Sequence, residues 1–455
     1  MAGDGAVTDV SVTSADTTSE LRRSFGWRMP TAIAGLASTF LVTVVAVRLL
    51  DGRDAALFLS VLIALNIGPM IGRLGLGQNV LRLIPAQPDD AGRRRVGGGH
   101  LLATLLLSAG TAPVVAVLAG ASAAGRPGHL LVVCGVAVLI VLETVRLTLS
   151  DVFAAHGLVR WSVAMTHHVR STVVLPLTLV LVLLPSASAV LSLIGIYVAV
   201  SALLLLIGMV RARHLVTIHG AGAASMVVRS VVTGAVLFAT DLAAFAVGQG
   251  TVWAATAGLP AEASAQYATA AVLALQITVV ESLAAIAVMP AAARLWASGQ
   301  HERMVRILSA VATLTTAAAV VAVLVLVAAG PLVLHVAYGP ELTGAYPMLV
   351  ILAAAGLAKT SFGINIAVLV ISGHARRAAV TALVVLGLAV PAAWWAVGTQ
   401  DARWLAAVAG GATVVLAVAQ WRTAATVVRS AARPHADLRA AWRTLTSVRG
   451  AGTPA

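Results

Sequence analysis

Apolar residues in this chain follow neither the strict alternation of a half-buried strand nor the three-to-four spacing of an amphipathic surface helix. They come in unbroken blocks of about twenty residues, parted by short polar or arginine-bearing stretches. A block of that length spans the roughly 30 Å hydrocarbon core of a bilayer as an α-helix, which keeps every backbone group hydrogen-bonded where water is absent. The predicted spans are twelve: 31–50, 55–72, 99–120, 129–149, 171–184, 187–210, 227–250, 266–289, 307–334, 345–371, 378–397 and 404–420.

The chain is organised around 44–85, VVAVRLLDGRDAALFLSVLIALNIGPMIGRLGLGQNVLRLIP. It holds the end of the first span, a polar turn at 51–54, the second span and a glycine-spaced run carrying arginines. Two spans joined by so short a turn form an antiparallel hairpin across the bilayer. The hairpin pattern returns: DAALFLSVLIALNI at 54–67 and SAQYATAAVLALQI at 264–277 follow polar turns, carry an early aromatic and reach Ala-Leu-Asn/Gln-Ile at an offset of 210. Such a repeat predicts two six-helix bundles in one orientation, related by a pseudo-two-fold axis along the membrane normal, with a cleft between them. The expected division is a disordered tail at 1–28, bundles at 29–210 and 227–421, a linker at 211–226 and a basic amphipathic tail at 422–455.

Composition sharpens this picture. Apolar residues make up 60% of the 455 and charged residues 10%, against about 45–50% and about 25% in soluble domains. This is the composition of an integral membrane protein without room for a separate soluble domain. Of 30 basic residues, 24 fall in one alternate set of loops and the tails, and four in the other set. That bias places both termini on the cytoplasmic side, and it explains the net charge of +13 without nucleic acid. One cysteine, Cys134, excludes an internal disulfide and a cysteine metal cluster.

Several runs carry a resemblance. The arginine, two leucines, turn, phenylalanine-bearing helix and Leu-Gly-Leu-Gly-Gln run of 48–85 resemble the opening of polysaccharide or O-antigen flippases of the multidrug, oligosaccharidyl-lipid and polysaccharide (MOP) exporter superfamily. SAQYATAAVLALQ followed by VMPAAARLW, and HVAYGPELTGAYPMLVILAAAGLAKTSFGINIAVLVISGHARR, are similar to segments of the second half of those flippases. The resemblance covers about 31–420 and not the tails. It implies alternating access and a lipid-linked glycan on a polyprenyl pyrophosphate. It also implies membrane lipid and glycan-synthesis membrane proteins as partners, and the bacterial inner membrane as the location. Twelve spans depart from the fourteen of lipid II flippases, and the first span lacks the acid frequent in drug antiporters.

Charges within spans are the candidate chemistry, because each costs about 2.5–3.5 kcal/mol at the bilayer centre and calls for a partner or a wet cavity. Glu143 and Arg146 share a helix face and read either as an internal ion pair or as an arginine turned to the cleft. Lys359, the sole lysine among arginines, reads as a substrate or coupling contact, or as a structural partner of Asp241 or Glu281. Asp241 and Glu281, the latter three residues after Thr278, read as sites coupling transport to H+ or Na+, or as fold-locking hydrogen-bond partners. Arg48 is a solvated end charge on its own reading; the resemblance turns it to the cleft, where with Arg146 and Lys359 it would meet phosphate. Asn66, Gly68 and Pro69 in the second span, and Gly356 and Gly363 in the tenth, are candidate hinges or packing devices.

No glycine-rich phosphate loop follows a strand, no histidine cluster has metal spacing, and the outer turns are too short for an active site. An ATPase, a metalloenzyme and a membrane glycosyltransferase are therefore not expected, nor any cofactor, metal or nucleic acid. The expectation is an all-α transporter of lipid-linked saccharide, with a small-molecule exporter or a non-transporting scaffold as the alternatives.

Overall fold

The computed structural model describes residues 14–85, 87–125, 128–183, 189–217, 222–429 and 431–447, and among these all regular structure is helical. The first half contains α1 (Ser14–Leu49), α2 (Gly52–Arg73), the short α3 (Leu76–Leu83), α4 (Asp90–Ala119), α5 (His129–Ala155), the short α6 (Val159–Ala164), α7 (His167–Val182) and α8 (Ala189–Ala212). The second half contains α9 (Gly222–Phe245), a π turn (Ala246–Gly250), α10 (Thr251–Gly258), α11 (Ala261–Ala297), α12 (His301–Tyr338), α13 (Tyr346–Phe362), α14 (Asn365–Ile371), α15 (Ala375–Gly398), α16 (Ala402–Thr423) and α17 (Leu438–Ser447).

Among the described residues ten helical segments are long and apolar enough to cross a membrane; Ile33–Leu49 and His167–Val182 are shorter apolar helices. All twelve predicted spans therefore coincide with apolar helices, two of them below ordinary spanning length. The polar turns supply helix caps: the side chains of Asp51, Asp89 and Asp401 accept from the N–H groups of Asp54, Gly92 and Arg403.

Packing divides the helices into two sets with one plan. In the first half α2 packs on α4 and α5, α4 on α5, α5 on α8, α1 on α7, and α7 on α8. In the second half α11 packs on α12 and α13, α12 on α13, α13 on α16, α9 on α15, and α15 on α16. Each pair in one lobe has its counterpart six spans on.

The apolar core is shared unequally between the two ends of the molecule. At the end away from the termini, the far end, one cluster runs through both lobes, from Val42 and Phe58 through Val136 and Tyr197 to Tyr267, Leu349 and Leu405. At the terminal end each lobe has its own clusters, around Leu149 and Phe153 in the first and around Leu308 and Val368 in the second. The lobes are thus joined by side chains at the far end. At the other end they meet through backbone, where Gly75 (φ 78°) at the α2–α3 turn lies against Gly234 of α9.

Two expectations about the tails change. Residues 14–28, expected to be disordered, belong to α1; residues 1–13 lie outside the described residues. The C-terminal tail, expected as one basic amphipathic stretch from 422, is not a continuous helix among the described residues: a π turn ends α16, residues 431–437 form no regular structure, and α17 is helical. Pro434 lacks an N–H and disfavours helical backbone at the residue before it.

Candidate functional site

The terminal-end space between the lobes is bordered by polar groups on otherwise apolar helices. Asn66 stands exposed on α2 among buried neighbours from Ala55 to Pro69. On α9, Asp241 is exposed and lies seven residues beyond Gly234. Two helical turns separate them, so Asp241 occupies the same face as Gly234, the face turned to the first lobe. Asn66 and Asp241 are thus exposed polar groups on two helices that pack on each other across the lobes, α2 and α9.

A second group lies at the seam of α11 and α13. Glu281 on α11 is 8% exposed, and the charge of Lys359 on α13 acts on it. There is no direct ion pair between them among the described residues. Gly356 packs on Ala274 and Ile277 of α11, and Gly363 leaves room for the Glu281 carboxylate: a Cβ at 363 would stand 3.0 Å from Oε1. Lys359 lies between these glycines in sequence, three and four residues away, and so shares their α11-facing side. At Gly363 the tenth span breaks into α13 and α14, putting a carboxylate, an ammonium and a helix interruption at one place. The Thr360 hydroxyl beside them is buried with no hydrogen-bond partner among the described residues. Thr278, expected beside Glu281, instead donates to the Leu275 carbonyl at 2.9 Å.

Glu143 and Arg146 do pair, inside the first lobe. Arg146 is fully buried; its Nη2 and Nε (3.2 Å) donate to Glu143, and its Nη1 donates to the carbonyls of Met165 and of Thr166 (2.9 Å). In this conformation Arg146 faces no cleft. The cleft-contact expectation gives way to the ion-pair alternative because the hairpin of α6 and α7 brings two carbonyls to its tip. Arg170 on α7, one residue before the predicted span 171–184, completes the cluster with Nη1 2.8 Å from Glu143 Oε2 and its guanidinium 5.1 Å from the Tyr197 ring centre. Ser201 on α8 donates to Glu143 Oε1 at 2.7 Å.

Arg48 lies at the far end, away from the terminal-end space. It donates from Nε to the Ala337 carbonyl at 2.7 Å and from Nη2 to the Val336 carbonyl. Both carbonyls lie in the last turn of α12, where backbone acceptors lack helical partners. Arg48 therefore joins the lobes as a cap.

Of the candidate hinge groups, the one on the second span lies in an unbroken helix and the one on the tenth span includes a break, at Gly363. The second span is continuous through Asn66, Gly68 and Pro69, and Gly68 is a packing position whose added Cβ would press on Ile140. The interruptions fall at Gly363 and at the π turn Ala246–Gly250. The glycines Gly248 and Gly250 were the available signal for the latter. No pattern in the sequence marked Arg170 or Ser201, whose partner lies on another helix. Among the described residues no group of three or more His, Cys, Asp or Glu is placed to hold a metal.

No protein-family model matches the chain, and no curated protein matches its sequence. Solved structures do match. An inward-facing multidrug resistance MATE family transporter of the MOP superfamily superposes with a TM-score of 0.65 at 12% identity, covering 94% of this chain and 99% of the other. The lipid II flippase MurJ in an inward closed conformation gives 0.63 at 11%, over 94% and 91%. A mutant of the Vibrio cholerae MATE transporter VcmN gives 0.63 at 14%, over 91% and 98%. At these identities the likeness is one of fold, and the fold of this chain is that of the MATE and MurJ transporters of the MOP superfamily.

Proposed function

We propose that this chain is a membrane transporter that moves a lipid-linked saccharide, carried on a polyprenyl pyrophosphate, from the inner to the outer leaflet by alternating access. The observation behind this reading is the uneven core, continuous across both lobes at the far end and separate in each lobe at the terminal end. Two repeated lobes that share a side-chain core at one end, and meet at the other through the Gly75–Gly234 backbone contact, can rock about the shared core. With the arginine-rich loops on the cytoplasmic side, the space opens to the leaflet on which such lipids would be loaded.

In this reading Lys359 offers a cation to the diphosphate, and Asp241 or Glu281 takes up H+ or Na+ as the coupling ion. Arg48 holds the outer gate shut. A second reading, export of a cationic small molecule, is favoured by the exposed Asp241 carboxylate, on the face of α9 turned to the first lobe.

The test is the pool of lipid-linked saccharides in cells lacking the protein, complemented with wild type or with Lys359→Ala that inserts normally. Accumulation on the inner leaflet, cleared by wild type alone, supports the flippase. A normal pool, with export of an organic cation restored by wild type and lost in Asp241→Asn, replaces it with the second reading.

A further inference from the structure

The C-terminal tail builds a basic cavity on the terminal face of the second lobe, away from the inter-lobe space. Residues 431–437 are held by three side chains. Asn365 accepts the Ala432 N–H at 2.8 Å and donates to its carbonyl at 3.1 Å; Ser309 and Thr313 of α12 accept the N–H groups of Arg433 and His435 at 3.2 and 3.0 Å. Between this strap, the start of α12 and the π turn after α16 lies a cavity of about 510 Å³. Its charged lining is Arg306, Arg429 and Arg433 against a single carboxylate, Glu302; the remainder is Val305, Ala425 and Ala431.

Three further features bear on what this cavity holds. Arg306 and Arg429 make no side-chain hydrogen bond or ion pair among the described residues, and the Arg433 guanidinium is held 5.0 Å from the Trp421 ring centre. Arg429 adopts a left-handed backbone (φ 55°), a conformation suited to Gly or Asn, so a long cation is held there against local preference. Directly after the strap, α17 packs on α12 and buries Ala441, while Leu438 and Trp442 are 46% and 62% exposed beside Arg439 and Arg443. A short helix with exposed Leu and Trp and flanking arginines lies in a membrane interface.

We propose that Arg306, Arg429 and Arg433 form a site for the phosphate head group of an anionic phospholipid of the adjoining leaflet, with α17 lying in that interface beside it. Guanidinium groups match phosphate oxygens in paired hydrogen bonds, and α17 favours a lipid over a free anion because it brings the membrane surface to the cavity mouth. The site is separate from the transport reading, since none of its residues borders the inter-lobe space.

The experiment is retention of lipid by the full chain in detergent, read by native mass spectrometry after incubation with phosphatidylglycerol or phosphatidylcholine, and repeated with inorganic phosphate present. Wild type is expected to retain phosphatidylglycerol over phosphatidylcholine, with the preference reduced about fivefold by each of Arg306→Gln and Arg429→Gln. The partner substitutions Arg439→Gln and Arg443→Gln on α17 are expected to reduce it less. Both cavity substitutions are at exposed side chains, so the protein is expected to fold. An unchanged preference in both cavity variants overturns the site, as does a larger loss from the α17 substitutions. Displacement of the lipid by millimolar inorganic phosphate also overturns it, assigning the cavity to a free anion.

Discussion

Arg170 on α7 reaches Glu143 on α5 with Nη1 2.8 Å from Oε2, and the carboxylate it meets already receives Arg146 from its own helix and Ser201 from α8. One buried acid thus ties three helices of the first lobe together. Removing one member of a buried ionic group leaves the others uncompensated and costs about 3–5 kcal/mol. Glu143→Gln, which strands two arginines, is expected to destabilise the purified protein by about that amount in a reversible unfolding assay. A loss below about 1 kcal/mol would show the cluster to be water-filled and dispensable.

At the far end, Arg48→Ala removes the cap from α12 and with it a polar tie between the lobes. Because Arg48 is exposed, solvent screening limits the effect to about 1 kcal/mol, or about a fivefold shift in the gate equilibrium. Spin labels at positions 51 and 262, in a Cys134→Ser background, should report a longer distance population. An unchanged distribution removes Arg48 from the gate.

Gly75 combines a left-handed backbone with backbone-to-backbone contact on Gly234. Gly75→Ala introduces both strain and a clash, for an expected loss of about 1–3 kcal/mol. Since the contact joins the lobes at the terminal end, transport should slow in the same variant. Gly128→Ala, also left-handed but with its nearest neighbour 3.7 Å away, tests strain alone. Equal effects in both would leave no role for the contact.

Lys359 and Glu281 share one seam, so their substitutions should not add. Lys359→Ala and Glu281→Gln are each expected to abolish transport, and the double variant to be more stable than Lys359→Ala alone, because it removes the carboxylate left without its cation. A thermal-stability cycle reads the coupling. Strict additivity would mean that the charges do not act on each other.

Asn365 uses both ends of its amide on Ala432. Asn365→Ala should free the strap, so that brief trypsin treatment cuts after Arg429 and Arg439, neither of which precedes a proline, severalfold faster than in wild type. An unchanged cleavage rate would mean that Ser309 and Thr313 suffice to hold it.

Much of this fold was legible in the chain because a bilayer leaves a buried backbone few options. Each apolar block of spanning length reappears as an apolar helix, and the aspartates of the polar turns reappear as caps. The repeat read from 54–67 and 264–277 lies on α2 and α11, helices with matching partners in their lobes. Local spacing found Glu143 with Arg146, three apart on one helix. It was silent where a side chain answers to a different helix: Arg170 falls just outside the predicted span 171–184, and Ser201 stands out by no spacing.

The helix breaks illustrate the same division. Asn66, Gly68 and Pro69 have the composition of a hinge, yet α2 runs straight through them because its neighbours enclose it and Gly68 packs on α5. Gly363 breaks the tenth span where a carboxylate from α11 arrives.

By itself the sequence determined which segments enter the membrane, their alternating direction and the two-lobed plan, since these depend on length, apolarity and charge counted along the chain. The tertiary structure alone decided which charges meet, which are sealed and at which end the lobes join. Those outcomes depend on distances between helices far apart in sequence, and no spacing along one helix encodes them.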